Sequence, residues 1–110
     1  MKNTDKLKGK GDLLYLDDDF GISLEFVNGL ALTHCEMNKW SPNIRKRCKA
    51  TIDKLQREHK IDAYAVSIKA DKKHQKFLKA MGFKFFKNKL ALDKKDNNLV
   101  LSIYWREYYA

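Results

Sequence analysis

Cross-linking and metal-binding residues are scarce in this sequence. Its 110 residues include two cysteines, Cys35 and Cys48, and three histidines. There is no Cys-x-x-Cys and no His-Glu-x-x-His spacing, which excludes a disulfide scaffold and leaves no zinc signature, so no metal is expected. Long hydrophobic runs are missing as well. Nothing approaches the ~18 to 20 apolar residues of a membrane span, and the opening MKNTDKLKGKGD lacks the ~7 to 15-residue apolar stretch of a signal peptide. The expectation is a soluble, intracellular protein that makes no membrane contact.

Apolar and basic residues are plentiful. Hydrophobic residues make up 44% and aromatic residues 12%, enough for one domain with a modest core. Lysine and arginine number 23 against 14 acids, for a formal charge of +9 and a pI near 9.6. That balance favours an anionic partner, whether nucleic acid, a phosphorylated cofactor or an acidic protein surface; the plainer explanation is a lysine-rich solvated exterior.

Residues 1–11 are rich in lysine and glycine and too apolar-poor to offset the cost of ordering, so they are expected to form a mobile leader to a single domain at 12–110. Leu13 to Leu16 form a short strand candidate that ends in Asp17-Asp18-Asp19. Asn28-Gly29 between two alternating runs signals a hairpin, because both residues tolerate the positive φ of a tight turn, and strands are predicted at about 22 to 27 and 30 to 36. Ser41-Pro42 reads as a helix cap followed by a first-turn proline. Behind it, Ile44, Cys48, Thr51, Ile52 and Leu55 form the apolar stripe of a helix running to about His59.

Asp62 to Ile68 is short and apolar, as a strand covered on both faces would be. Asp71 can cap a second helix with the stripe His74, Phe77, Leu78 and Met81, closed by Gly82. Strands at Phe83 to about Leu92 and Leu99 to about Trp105 follow, joined by a polar stretch. No internal repeat is present. The order predicts the α+β or α/β class, a mixed sheet with one right-handed strand-helix-strand crossover and two main helices.

The first turns of the longer helix carry Arg45, Lys46, Arg47 and Lys49, where the helix dipole is already positive. A helix start with added cations is a phosphate site, although long, screened side chains pointing at water account for it equally simply. His34, Cys35 and Glu36 are consecutive on a strand, so alternate members point to opposite faces and cannot form a nucleophile-base pair by themselves. His74 shares a stripe with Phe77 and Leu78 and reads as a packing histidine; Cys48, on the apolar stripe, reads as a small core residue.

Two stretches carry a family resemblance. Arg45-Lys46-Arg47-Cys48-Lys49-Ala50 is similar to the pattern Gln/Arg-x-x-Gly-x-Gly/Ala, and Asp71 to Phe83 is similar to Asn-x-x-Ala-x-x-Phe-Tyr-x-x-x-Gly-Phe. In order and spacing, residues 30–105 resemble the GNAT superfamily of acetyl-CoA-dependent N-acyltransferases. The resemblance implies a truncated GNAT-like fold without the helices that usually precede the central hairpin. It also implies acetyl-CoA contacts at Arg45, Lys46, Arg47, Cys48, Lys49, Ala50 and Asp71, and a base at Glu36 or His34.

The departures are specific. Cys48 replaces the glycine that permits close backbone approach, Leu78 replaces the tyrosine that protonates the leaving thiolate, and Asp71 replaces an asparagine. The stretch from His74 to Gly82 resembles small GNAT-like proteins of tailed bacteriophages, including an internal virion protein of short-tailed phages. This implies virion assembly or host takeover, with a location in the host cytoplasm or the virion.

An RNA recognition motif is excluded, because only one strand lies between the helices where that fold needs two. Ten lysines between Lys69 and Lys95, interleaved with Phe83, Phe85 and Phe86, could still form a basic aromatic surface. Alternation, with Lys84 on one side and Phe83 and Phe85 on the other, makes core packing the cheaper expectation. Lys72, Lys73 and Lys76 are candidate partner contacts. The aromatic ending Tyr104, Trp105, Tyr108 and Tyr109 is expected on an edge strand that docks a partner or a second copy. The sequence thus supports two functions. One is a catalytically degenerate binding module for a protein or nucleic acid, without a cofactor; the other is an active acetyl-CoA-dependent N-acetyltransferase acting on a protein or small amine.

Overall fold

A computed structural model describes residues 11–92, 95 and 98–109. The expected leader, apart from Gly11, lies outside the described residues, as does most of the polar connection after Leu92. The elements are β1 (Asp12–Leu16), β2 (Phe20–Val27), β3 (Leu30–Met37), α1 (Pro42–His59), β4 (Ala63–Ile68), α2 (Lys72–Ala80), β5 (Lys84–Leu92) and β6 (Asn98–Arg106). The described strands form one sheet in the order β1-β2-β3-β4-β6-β5. Only β3 and β4 pair in parallel; the other neighbours are antiparallel. This is the mixed α+β architecture expected from the sequence.

Local chemistry sets the turns and caps. Asn28 and Gly29 take φ values of 51° and 80° between the paired residues Val27 and Leu30, which is the twist a two-residue hairpin needs. Ser41 Oγ accepts from the amide of Ile44 at 3.1 Å and Pro42 takes the first helical position of α1. Asp71 Oδ1 accepts from the amide of His74 at 3.0 Å to start α2. Gly82 follows α2 at φ 93°, and a Cβ there would meet Arg106 Nε at 3.0 Å. β2 begins at Phe20, earlier than the sequence pattern suggests, because Phe20 pairs with Met37 and is fully buried.

Both helices cover the same face of the sheet. Phe20, Ile22, Cys48 and Ile52 pack in one cluster with Ala63, Ala65, Leu78, Met81, Phe83 and Tyr104, each large side chain contributing about 1.5 to 3 kcal/mol of burial. Arg106, at the end of β6, ties the two helices together. Its Nε donates to the Met81 carbonyl at 2.9 Å, its Nη1 to Gln56 Oε1 at 2.5 Å, and its Nη2 pairs with Asp53.

Three expectations are corrected. β6 lies between β4 and β5 and is not an edge strand, and Tyr104, expected at a partner surface, is a core residue at 3% exposure. The reason is register: Tyr104 pairs with Ala65, on the helix-covered face. Phe85, expected to pack in the core, is 51% exposed. Phe85 pairs with Tyr104 and so takes the helix-covered side as alternation requires, but β5 is the outer strand of the sheet and its ring stays half in solvent there.

Candidate functional site

β2 and β3 pair along their whole length, whereas β3 and β4 share the single register pair Leu32 and Tyr64 among the described residues. Past that pair the two parallel strands part toward their C-terminal ends. The opening is a cleft of about 200 Å³ lined by Leu32, Thr33, His34, Cys35, Glu36, Val66, His74, Phe77 and Leu78. Thr33 Oγ1, buried beside it, has no hydrogen-bond partner among the described residues.

The cleft gathers several candidate residues and divides them by strand alternation. Ser23 pairs with His34, and Ile22 with Cys35, so His34 and Glu36 point to the face without helices while Cys35 points toward α1. His34 Nε2 lies 3.1 Å from Glu25 Oε1. Cys35 and Cys48 are both free thiols. The hydrogen bond with Cys48, and then desolvation, push the Cys35 thiol well above its ordinary value. Accepting that hydrogen bond lowers Cys48, but its full burial keeps it a core side chain. His74 Nδ1 is 2.8 Å from Ser67 Oγ and its ring stacks on Phe77, the packing role its sequence position suggests.

The helix start differs from a phosphate cradle. Arg45 to Ala50 lie inside α1, and the Arg45 amide already donates to the Ser41 carbonyl at 2.9 Å. Pro42 has no amide and that of Ile44 is capped, so the first turn keeps one open donor, Asn43. Cys48 points into the core, Asp71 is occupied as a cap, and Arg45, Lys46, Lys49 and Ala50 are exposed. These residues do not fit a pyrophosphate held by backbone amides.

Arg47, moreover, is neutralised. Its Nη1 donates to Asp19 Oδ2 at 2.6 Å and its Nη2 to Asp17 Oδ2 at 2.5 Å, with the guanidinium over the Phe20 ring. Asp17 Oδ1 also accepts the amides of Asp19 and Phe20, and Tyr15 donates to Asp17 Oδ2. Burial alone would raise the Asp17 carboxyl; the hydrogen bonds from Tyr15, Phe20 and Asp19, with the Arg47 charge, outweigh it and hold the group below its ordinary value. The same bond to Asp17 raises the Tyr15 hydroxyl.

The remaining candidates scatter. Lys72, Lys73 and Lys76 are exposed on α2, Trp105 and Tyr108 are half-buried, and Tyr109 is 74% exposed. The Arg47 clamp and the Arg106 tie are not among the contacts expected from the sequence. The acidic run was a visible signal for the first, but its partner lies 28 to 30 positions away; nothing local announces the second.

Among the described residues no helix is long and apolar enough to cross a membrane, and no group of metal-ligating side chains converges. No family model and no curated protein matches the chain. Among solved structures, the chain is similar to one described as a "putative acetyltransferase" from Sphaerobacter thermophilus DSM 20745. The identity is 16% and the TM-score 0.43, over 81% of this chain, which spans 60% of that protein.

Proposed function

We propose that this chain is a catalytically degenerate, GNAT-like binding module whose basic surface holds an anionic protein or nucleic-acid partner. The observation that carries this reading is the state of the α1 entry. Its first turn keeps a single open amide, that of Asn43, while Cys48 packs inward and Arg47 is committed to Asp17 and Asp19. That leaves little to grip a pyrophosphate, and Leu78 offers no acid where the resembling family has tyrosine. A virion-assembly or host-takeover role in the host cytoplasm or the virion is the finer form of the proposal, resting on the His74 to Gly82 resemblance.

One observation favours a second reading, an acetyl-CoA-dependent N-acetyltransferase. The parting of β3 and β4 places Glu36 and His34 beside a cleft, where either could take a proton from an amine. Calorimetric titration with acetyl-CoA separates the two. The binding module is expected to show no micromolar association, whereas micromolar affinity that disappears in Arg45→Ala would overturn it in favour of the enzyme reading.

A further inference from the structure

The charged residues of the sheet are segregated across the parting of β3 and β4. β1, β2 and β3 carry Asp12, Glu25 and Glu36 and no lysine or arginine; β4, β5 and β6 carry Lys84, Lys87, Lys89 and Arg106 and no acid. Arg106 is spent on Gln56, Asp53 and Met81. The three lysines have no such acceptor on their own strands or on the two beside them.

Register places those lysines in order. Directly paired residues share a face, so Lys84, Trp105 and Tyr64 form one row across β5, β6 and β4; Lys87, Ile103 and Val66 form the next; and Lys89, Leu101 and Ile68 the third. Each row reads cation, apolar, apolar. The face is the one opposite α1 and α2, and Val66, Ile68 and Phe86 are 36%, 47% and 48% exposed on it. Phe86 alternates onto the same face and the β5 bulge sets Lys87 beside it, with the Phe86 ring 6.4 Å from Tyr64, 5.9 Å from Trp105 and 5.4 Å from Lys87 Nζ.

We propose that this face binds single-stranded nucleic acid, with bases stacking on Phe86, Trp105 and Tyr64 and phosphates held by Lys84, Lys87 and Lys89. The inference rests on the basic binding module proposed above and names its surface and ligand. An exposed Phe86 ring flanked by the half-buried Tyr64 and Trp105 suits unpaired bases of any sequence, and a line of cations beside it suits the backbone. The rows repeat every two residues, about 7 Å of strand, a step that an extended single strand can match phosphate by phosphate. A duplex keeps its base faces stacked, so the rings would have nothing to meet. An acidic peptide would satisfy the lysines and leave the rings idle.

The test is fluorescence anisotropy with a fluorescein-labelled oligothymidylate of about 16 nucleotides, against polyglutamate and a duplex of equal length. Oligothymidylate is expected to bind best, with log affinity falling against log salt at a slope of about −2, as three phosphate contacts on a single strand require. Phe86→Leu, which keeps the apolar packing and removes the ring, is expected to weaken binding at least about fivefold. Lys87→Ala with Lys89→Ala is expected to flatten the slope by about 1.4. Lys72→Ala, Lys73→Ala and Lys76→Ala together, on the other side of the sheet, are expected to leave affinity near wild type.

Oligothymidylate affinity untouched by Phe86→Leu, or lost through the α2 variant instead, overturns the surface. Polyglutamate binding as tightly as oligothymidylate overturns the nucleic acid while leaving the basic module standing. Should neither polymer bind and acetyl-CoA bind in their place, the module itself fails.

Discussion

The two halves of the sheet solve different problems with the same strand chemistry. In β1, β2 and β3, Phe20 and Ile22 are closed in beneath the helices at 0% and 1% exposure. The acidic turn draws in cations of its own half, Arg47 on Asp17 and Asp19 and Lys39 on Asp19. In β4, β6 and β5 the same covered layer exists, through Ala63, Ala65 and Tyr104, but the opposite face leaves Val66, Ile68 and Phe86 exposed beside Lys84, Lys87 and Lys89. One half thus satisfies its charges internally; the other leaves its cations and rings for something outside. A sheet stabilised only for its own sake gains nothing from exposed Phe86, since burial is where a phenylalanine stabilises.

The sharpest way to break this contrast is to remove a comparable ring from each half. Phe20→Ala is expected to cost about 3 to 5 kcal/mol, the usual penalty for emptying a buried phenylalanine site. Phe86→Ala, losing only edge and tilted ring contacts, is expected to cost about 1 kcal/mol. Urea unfolding of the two variants checks this, and equal losses would erase the distinction. Arg106→Met belongs with the larger effect. At 12% side-chain exposure it satisfies the Met81 carbonyl and Gln56 and pairs with Asp53. Taking it away strands those groups at about 3 to 5 kcal/mol, seen as a lower urea midpoint.

Much of the fold was legible because it is written in local chemistry. Asn28-Gly29, Ser41-Pro42, Asp71 and Gly82 each impose a backbone conformation on their own neighbours, and each is found where the pattern puts it. What escaped was long-range. Tyr104 sits in the core because β6 slides between β4 and β5, a consequence of sheet order that no window of sequence contains. Phe85 misled because alternation fixes which face a side chain takes and not whether that face is covered, and β5 is the outer strand. The candidate site was legible in part. His34, Cys35 and Glu36 do line the opening between the parallel strands, while the cations expected at the helix start divide between solvent and the acidic turn.

A smaller effect probes the acidic turn of the first half. Asp17 is held below its ordinary value in the folded chain. Its contribution is therefore complete above the unfolded carboxylate range and is lost as pH falls through the depressed folded value. Between about pH 7 and about pH 3, Asp17→Asn is expected to show a smaller drop in Tm than the wild type, because the variant has no carboxylate to protonate there. Parallel melting curves across that window would remove Asp17 from the acid response.

The smallest effect on stability separates the two explanations of the β5 lysines. Edge strands commonly carry lysine to prevent unwanted pairing, and β5 is an edge. If guarding the edge were their whole purpose, glutamate would serve as well, since either sign of charge disfavours a second apolar strand. Lys87→Glu with Lys89→Glu is expected to change stability by no more than about 0.5 kcal/mol per site and to leave the protein monodisperse by light scattering. The same substitutions place acids in the half of the sheet that has none, and binding of oligothymidylate is expected to vanish. Retained binding with an intact, monodisperse fold would leave edge protection as the sufficient account of these residues. Its loss without a change in melting would show that the sign of the charge is what the face requires.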